Sequence, residues 1–146
     1  MRTANKISPV SPLVSVVIPC YNQAYFLSEA IESVCGQSHH PIEIIVVNDG
    51  SIDNTREIAA RYPNVRYVEQ TNQGLSAARN TGIRMSVGAY VVFLDADDRL
   101  LPGAVSAGLA CFYAHPESAF VFGAHRRIGA GGMPVGKPIM NPIDED

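Results

Sequence analysis

Short runs of β-branched, apolar residues recur along this chain, and stretches with helical spacing separate them. The strongest runs cover residues 13–18, 42–47 and 89–94, and they are apolar at nearly every position. This pattern is typical of strands covered on both faces, and strands that alternate with helices form βαβ units with right-handed crossovers. The sequence therefore predicts an α/β fold: a Rossmann-like, mostly parallel sheet with helices on both faces.

Weaker signals complete the order of the elements. Two further strands are predicted at residues 65–69 and 119–122. Apolar residues at helical spacing predict helices over residues 25–37, 75–85 and 101–112. We expect Pro19 to end the first strand. A second helix is expected to begin near Asn54, where Glu57 three residues later completes a capping box.

The chain divides by composition into three parts. Residues 1–12 are polar and carry two prolines, so we expect a flexible N-terminal arm. Residues 13–123 contain all the predicted elements, and 146 residues with 47% hydrophobic composition suffice for one core. Residues 124–146 are rich in Gly and Pro and end in acidic residues, which predicts a loop or disordered tail.

Charge and cysteine content exclude several classes of partner. A formal net charge of −3, without a cluster of Lys or Arg, argues against a nucleic-acid partner. Three cysteines without CxxC spacing argue against disulfides and a thiolate zinc site, so we expect reduced packing residues. The apolar run at residues 13–20 is shorter than the roughly 20 residues that span a bilayer. We expect a cytoplasmic protein that contacts the inner face of a membrane only through segments outside this chain.

Polar and acidic residues follow three of the predicted strands. Ligands of open parallel sheets bind beyond the carboxyl ends of the strands. Residues 19–22, 48–51 and 95–98 are expected at that edge. We expect Asp49, Asp95 and Asp97 to share one pocket there, wide enough for a pyrophosphate and its counter-ion.

Each candidate residue also has a purely structural interpretation. Asp95 and Asp97 offer hard oxygen ligands for Mg²⁺ or Mn²⁺, whereas a helix cap by Asp97 or Asp98 is the plainer alternative. Asp49 lies in Asn-Asp-Gly-Ser, which is ordinary turn composition. Tyr21 either stacks on a base or covers the core. Arg79 is a solvated cation unless its helix turns it toward the crevice.

Four segments, taken in order, resemble the successive signatures of family-two glycosyltransferases. They are VSVVIPCYN at 14–22, IEIIVVNDGS at 42–51, NQGLSAARNTG at 72–82 and FLDADD at 93–98. The resemblance covers roughly residues 13–123. It implies the GT-A fold, here the nucleotide-sugar-binding portion that precedes the acceptor-binding part of such enzymes.

The resemblance also implies roles for individual residues. Pro19, Tyr21 and Asn22 would line the base and ribose pocket, and Asp49 would hydrogen-bond the base. Arg79 would complete the contacts to the base or the diphosphate. The nucleotide-sugar site would continue at Asp95, which faces the ribose or the metal, and Asp97 would bind the metal directly.

The chemistry implied is metal-dependent transfer of a sugar, with inversion, from a nucleotide sugar to an acceptor hydroxyl. The donor would be a UDP-sugar, and the acceptor a saccharide or a lipid-linked molecule. The cation, Mg²⁺ or Mn²⁺, would stabilise the departing diphosphate, and a carboxylate would deprotonate the acceptor. That general base belongs to a later segment in the family and is not evident here, so a binding module without transfer activity is the alternative.

Two other enzyme classes fit the sequence less well. An Asp-x-Asp after an apolar strand also occurs in aspartyl-phosphate phosphatases of the haloacid dehalogenase type. Those enzymes carry the motif on the first strand, with Thr or Val where this chain has Arg99. A Rossmann-type dehydrogenase would need GxGxxG after the first strand, and none is present.

Overall fold

The computed structural model describes residues 11–129 and 131–139. In chain order, its elements are β1 Val14–Cys20, α1 Ala24–Cys35, β2 Ile42–Asn48, α2 Thr55–Ala59, β3 Val65–Glu69, α3 Leu75–Met85, β4 Tyr90–Phe93, α4 Ala104–Ala114, β5 His125–Ile128 and β6 Pro134–Ile139. The predicted arm lies almost wholly, and the acidic terminus entirely, outside the described residues.

The main sheet has four parallel strands in the order β3-β2-β1-β4. β1 is buried along its whole length, and so is most of β2, as continuously apolar runs predict. In the register, Cys20 pairs with Asn48 and Val17 pairs with Phe93. The carboxyl ends of β1, β2 and β4 therefore lie at one edge of the sheet.

Helices cover both faces of this sheet. On one face, Val17 of β1 belongs to a buried cluster with Ala78 of α3, and Gly82 of α3 lies against Val17 so closely that a Cβ would not fit. On the opposite face, Cys20 Sγ lies 3.6 Å from Thr55 Oγ1 at the start of α2, and α1 packs against α2. The predicted α/β class, with a parallel sheet between helices, is confirmed.

Pro19 does not end β1, as the sequence suggested. The strand continues through Cys20, with Pro19 opposite Val47. Backbone groups of successive residues in a strand point to alternate sides: Val17 O accepts from Leu94 N on the β4 side, and Cys20 O accepts from Asp49 N on the β2 side. Pro19 therefore faces the β4 side, beyond the last paired residue of β4, where a backbone N–H is not needed.

The predicted capping box at α2 is wrong. Asn54 precedes the helix but makes no capping hydrogen bond through its side chain. Asp53 takes that role instead: its Oδ1 accepts from Thr55 N at 3.1 Å and from Thr55 Oγ1 at 2.6 Å. Its Oδ2 accepts from Ala24 N at 2.9 Å, so one carboxylate joins the starts of α1 and α2.

The chain after α4 differs from the sequence prediction in two ways. Residues 119–122 are not a strand, and Phe120 and Phe122 are both exposed. The Gly- and Pro-rich segment, which was expected to be loop or disorder, instead contains an antiparallel hairpin of β5 and β6. Its turn closes through Gly129 N to Met133 O at 2.9 Å, and both strands are edge strands, which tolerate Pro.

Two compact units divide the described chain, one through Val105 and the other from Ser106. The boundaries predicted from composition, at residues 12 and 123, stay predictions.

Of the three free cysteines, Cys20 is a packing residue as expected, whereas Cys35 and Cys111 are exposed. None of the helices in the described part of the chain has the length and apolar content to cross a membrane.

Candidate active site

Four loops leave the carboxyl edge of the main sheet. Residues 21–22 follow β1, residues 49–51 follow β2, the loop from Gln70 follows β3, and residues 94–98 follow β4. Backbone hydrogen bonds fix their roots: Asp49 N donates to Cys20 O, Gln70 N to Asn48 O, and Leu94 N to Val17 O, at 2.9–3.0 Å. The carboxyl-end rule thus brings the predicted polar segments to one edge.

Asp49 is almost completely buried at this edge, with 3% of its surface exposed. Its Oδ1 accepts from Gln70 Nε2 at 2.7 Å and from Gln73 N at 2.9 Å, and its Oδ2 accepts from Gly74 N at 2.8 Å. Asp49 is therefore more than a turn residue, because its carboxylate holds the loop that leads into α3. A carboxylate offers about four acceptor positions, and these hydrogen bonds fill three of them.

Arg79 and Asp95 form an ion pair across this edge. Arg79 Nη2 lies 2.7 Å from Asp95 Oδ1, and both side chains are a little more than one third exposed. The guanidinium also lies 5.9 Å from the centre of the Phe93 ring, at the end of β4. Arg79 Nε is buried without a hydrogen-bond partner. The arginine therefore turns toward the edge, as its functional interpretation required, and keeps donor capacity.

Asp97 presents an exposed carboxylate two residues after Asp95. Ala96 between them is fully buried, and Asp98 N donates to Asp95 O at 2.9 Å, which closes a tight turn. Because α4 begins only at Ala104, neither Asp97 nor Asp98 occupies its capping position. Neither residue therefore caps α4 directly, and a cap of the turn before this helix stays the alternative.

The charge of Asp97 acts on Cys20, the last residue of β1. Burial raises the pKa of the Cys20 thiol, and the negative charges of Asp53 and Asp97 raise it further. The carboxylate of Asp97 therefore lies within electrostatic range of the point where the loops after β1 and β4 leave the sheet.

The loop after β1 is clasped to the loop after β2. Asn22 has the left-handed φ of 53°, which Asn tolerates better than most residues. Its N donates to Ser51 Oγ at 3.0 Å, and its Oδ1 accepts from Ile52 N at 2.9 Å. Tyr21 beside it is 50% exposed, which leaves half of its surface for a ligand. Pro19, in contrast, is buried inside β1.

Two cavities lie near this edge. One, of about 570 Å³, lies between the starts of α1 and α2 and reaches Asn22. The other, of about 540 Å³, lies beyond β2 and β3, and its lining residues are Gly50, Ser51, Glu69, Gln70 and Thr71. Neither is lined by Asp49, Asp95 or Asp97. Asp49, Asp95 and Asp97 lie at the same edge of the sheet. That they line a single pocket stays a prediction.

The donor atoms fit a small divalent cation that also binds a phosphate ligand. Within residues 11–129 and 131–139, no three His, Cys, Asp or Glu side chains form a cluster suited to a metal ion. Mg²⁺, however, commonly takes one or two carboxylates and completes its shell with water and substrate phosphates. The exposed carboxylate of Asp97 and Oδ2 of Asp95, the oxygen not paired with Arg79, are hard ligands of that kind.

Three contributors to the site escaped the sequence analysis. Asp53 ties the starts of α1 and α2 together, Phe93 lies beneath the guanidinium of Arg79, and Gln70 holds Asp49. A signal for Gln70 was present, because it directly follows β3. β3 has a weak sequence signal, so the carboxyl-end rule did not single out the residue that follows it.

A parallel α/β sheet with carboxylates and an arginine at its carboxyl edge is typical of nucleotide-binding domains. The chain belongs to glycosyl transferase family 2, whose family model matches residues 15–138. The family predicted from the four sequence segments is thus confirmed.

A curated relative and two solved structures agree with this assignment. The uncharacterized glycosyltransferase EpsJ of Bacillus subtilis is 47% identical over 91 residues, which are 60% of this chain and 26% of EpsJ. Residues 1–349 of TarS from S. aureus, solved with UDP-GlcNAc, match 70% of this chain and 32% of that one, with 28% identity and a TM-score of 0.66. The mannosyltransferase PcManGT of Pyrobaculum calidifontis, solved with GDP-Man and Mn²⁺, matches 74% of this chain and 34% of that one, with 30% identity and a TM-score of 0.64. The chain spans about a quarter to a third of the length of these proteins.

Proposed function

We propose that this chain is the donor-binding part of an enzyme that transfers a sugar from a nucleotide sugar to an acceptor hydroxyl, with inversion and with Mg²⁺ or Mn²⁺. The observation that carries the proposal is the edge itself. There, the Arg79–Asp95 ion pair and the exposed carboxylate of Asp97 lie at the same edge of the sheet as the buried Asp49, which follows β2.

Resemblance to donor-bound proteins supports the choice of donor. TarS was solved with UDP and with UDP-GlcNAc, and PcManGT with GDP-Man. We propose a UDP-sugar for this chain. A carboxylate can only accept hydrogen bonds, so the fourth acceptor position of Asp49 requires a base that donates, and the imide N–H of uracil does so. Tyr21 would stack on the face of that base, and Asn22 and Pro19 would support the ribose side.

The diphosphate end of the donor would lie between Arg79 and the acidic turn after β4. The guanidinium, on a side chain that is 36% exposed, can donate to phosphate oxygens through its terminal N–H groups. Asp95 fixes the orientation of the guanidinium, and Asp97, with Asp95, would hold the cation. The cation supplies Lewis-acid stabilisation of the negative charge on the leaving diphosphate.

The acceptor side of the reaction is assigned to no residue described here. We propose a saccharide or lipid-linked acceptor whose hydroxyl is deprotonated by a carboxylate. The domain would then work in the cytoplasm, at the inner face of the membrane for a lipid-linked acceptor. The alternative, a module that binds the donor without transferring it, makes the same prediction for binding and a different one for turnover.

Thermal unfolding with UDP-glucose as the probe donor tests the proposal. At a ligand concentration about 100 times Kd, binding adds about 2.7 kcal/mol to the free energy of unfolding, which raises the melting temperature by several degrees. We expect this rise with Mn²⁺ or Mg²⁺ and little rise with EDTA. An equal rise with and without the metal would remove the cation from the proposal, and no rise in either condition would remove the donor. Release of glucose from the bound donor would count against the alternative, a module that binds the donor without transferring its sugar.

A further inference from the structure

Gln70 connects the carboxyl edge of the main sheet to α3 through both ends of its side-chain amide. Its Nε2 donates to Asp49 Oδ1 at 2.7 Å, and its Oε1 accepts from Thr81 Oγ1 at 2.6 Å. Arg84 Nη2 in turn lies 2.8 Å from Thr81 Oγ1, so this hydroxyl accepts from Arg84 and directs its hydrogen to Gln70. An amide with both ends engaged has a fixed orientation, so the position of Asp49 is set from α3.

This bridge decides which oxygen of Asp49 is left for a ligand. Oδ1 accepts two hydrogen bonds, from Gln70 and from the backbone of Gln73, whereas Oδ2 accepts one, from the backbone of Gly74. The vacant acceptor position therefore belongs to Oδ2. Without the Gln70 amide, the carboxylate would keep only its two backbone bonds, one to each oxygen, and Oδ1 would also have a vacant acceptor position.

We propose that Gln70 is a positioning residue for the donor, because it holds the carboxylate of Asp49 with Oδ2 free to accept from the nucleobase. This inference rests on the proposed function and adds to it a residue outside the family signatures on which that function was first argued. Gln70 acts through Asp49, and its effect is therefore on the affinity for the donor.

Gln70→Glu separates positioning from a merely structural role. At high pH, the new carboxylate can still accept from Thr81, but it faces Asp49 with an acceptor and a like charge, so the bond to Asp49 is lost. At lower pH the pair shares a proton. The protonated Glu then donates to Asp49 and accepts from Thr81, as Gln70 does in the native chain.

Other charged groups near this bridge are the same in the variant and in the native protein. Glu69, next to Gln70, forms an ion pair with Arg56 of α2, and Arg84 of α3 contacts Thr81. The ratio of the two affinities at each pH therefore isolates the new carboxylate. Gln73→Glu is the matched control, because the exposed side chain of Gln73 bonds Thr71 O and only its backbone bonds Asp49.

The experiment measures the Kd for UDP-glucose with Mn²⁺, by calorimetry, between pH 5.5 and 8. We expect Gln70→Glu to bind about tenfold more weakly than the native protein at pH 8, the scale of one hydrogen bond to a charged group, and to approach native affinity at pH 5.5. For Gln73→Glu we expect a ratio that does not change with pH. Gln70→Met, which is neutral and cannot donate, should stay weak at every pH.

Three results would overturn the inference. The first is a pH dependence of Gln70→Glu that matches that of Gln73→Glu, and the second is native affinity in Gln70→Met; both leave the proposed function standing. The third is the absence of UDP-glucose binding by the native protein, which would overturn the proposed function and this inference together.

Discussion

Asp97→Asn is expected to weaken UDP-glucose binding in Mn²⁺ by about tenfold to a hundredfold and to leave the metal-free affinity unchanged. Asp97 is exposed. Among the contacts given above for residues 94–98, no protein group donates to its carboxylate, so no protein donor competes with the cation for it. Its replacement by an amide removes the charge that holds the cation, a loss on the scale of about 1.5–3 kcal/mol for a contact to a charged group. Calorimetry with Mn²⁺ and with EDTA measures both affinities.

Glu57→Gln serves as the control for Asp97→Asn. Glu57 is an exposed acid on α2, so this variant makes the same change in net charge away from the acidic turn. We expect its affinity in Mn²⁺ to match the native value within twofold, because long-range effects of one exposed charge are screened by salt. An equal loss in both variants would mean that Asp97 contributes only general negative charge.

Asp49→Ala should lower the free energy of unfolding by about 3 kcal/mol, and Asp53→Ala by about 1 kcal/mol. Each carboxylate accepts three hydrogen bonds from its own chain. Asp49 is buried, so the N–H groups that donate to it would have neither a protein acceptor nor water in Asp49→Ala. Asp53 is exposed, so water can accept the hydrogen bonds of its donors in Asp53→Ala. Urea unfolding of the native protein and both variants measures the difference.

Acid pH provides an independent check on Asp53. Burial would raise the pKa of this carboxyl, but hydrogen bonds from Thr55 and from the backbone of Ala24 outweigh it and hold the pKa below its ordinary value. Its contribution to stability is therefore complete above the pKa of the unfolded chain and disappears as the pH falls through the folded value. The loss in free energy of unfolding caused by Asp53→Ala should shrink over that interval.

Equal losses in free energy of unfolding for Asp49→Ala and Asp53→Ala at neutral pH would contradict the role assigned to burial.

Two of the three strongest sequence signals predicted the core of the fold correctly, whereas the third, at β4, is wrong in part because Val91 and Phe93 are exposed. Consecutive apolar positions in β1 and β2 reflect burial on both faces, which the parallel sheet requires, and the stripe on α1 contains four of its five buried residues. The sequence rules for strand ends and helix caps gave wrong predictions where a residue distant in sequence determines the structure. Pro19 is tolerated because β4 stops short of it, and Asn54 loses its predicted capping role because Asp53 is the residue that also reaches Ala24.

The candidate site was predictable in its members and less so in its contacts. The carboxyl-end rule predicted Asp49, Asp95 and Asp97 at one edge, whereas Arg79 of α3 was placed there only by the resemblance to the family. The sequence could not indicate that Asp49 would be enclosed by the loop before α3, because those bonds come from backbone groups and one glutamine. The hairpin of β5 and β6 was missed because Gly and Pro, read by composition, indicated a loop.

The central claim is that a metal–nucleotide complex binds at the carboxyl edge of the main sheet. Amide NMR spectra with Mn²⁺ and UDP test it directly, because the paramagnetic ion broadens signals with a steep dependence on distance. We predict the strongest broadening for the amides of residues 95–98 and weak broadening for Val14, Ile42 and Tyr90, about 20 Å away at the amino ends of the strands. Broadening centred on those amino ends, or the same pattern with Mg²⁺ in place of Mn²⁺, would contradict the claim.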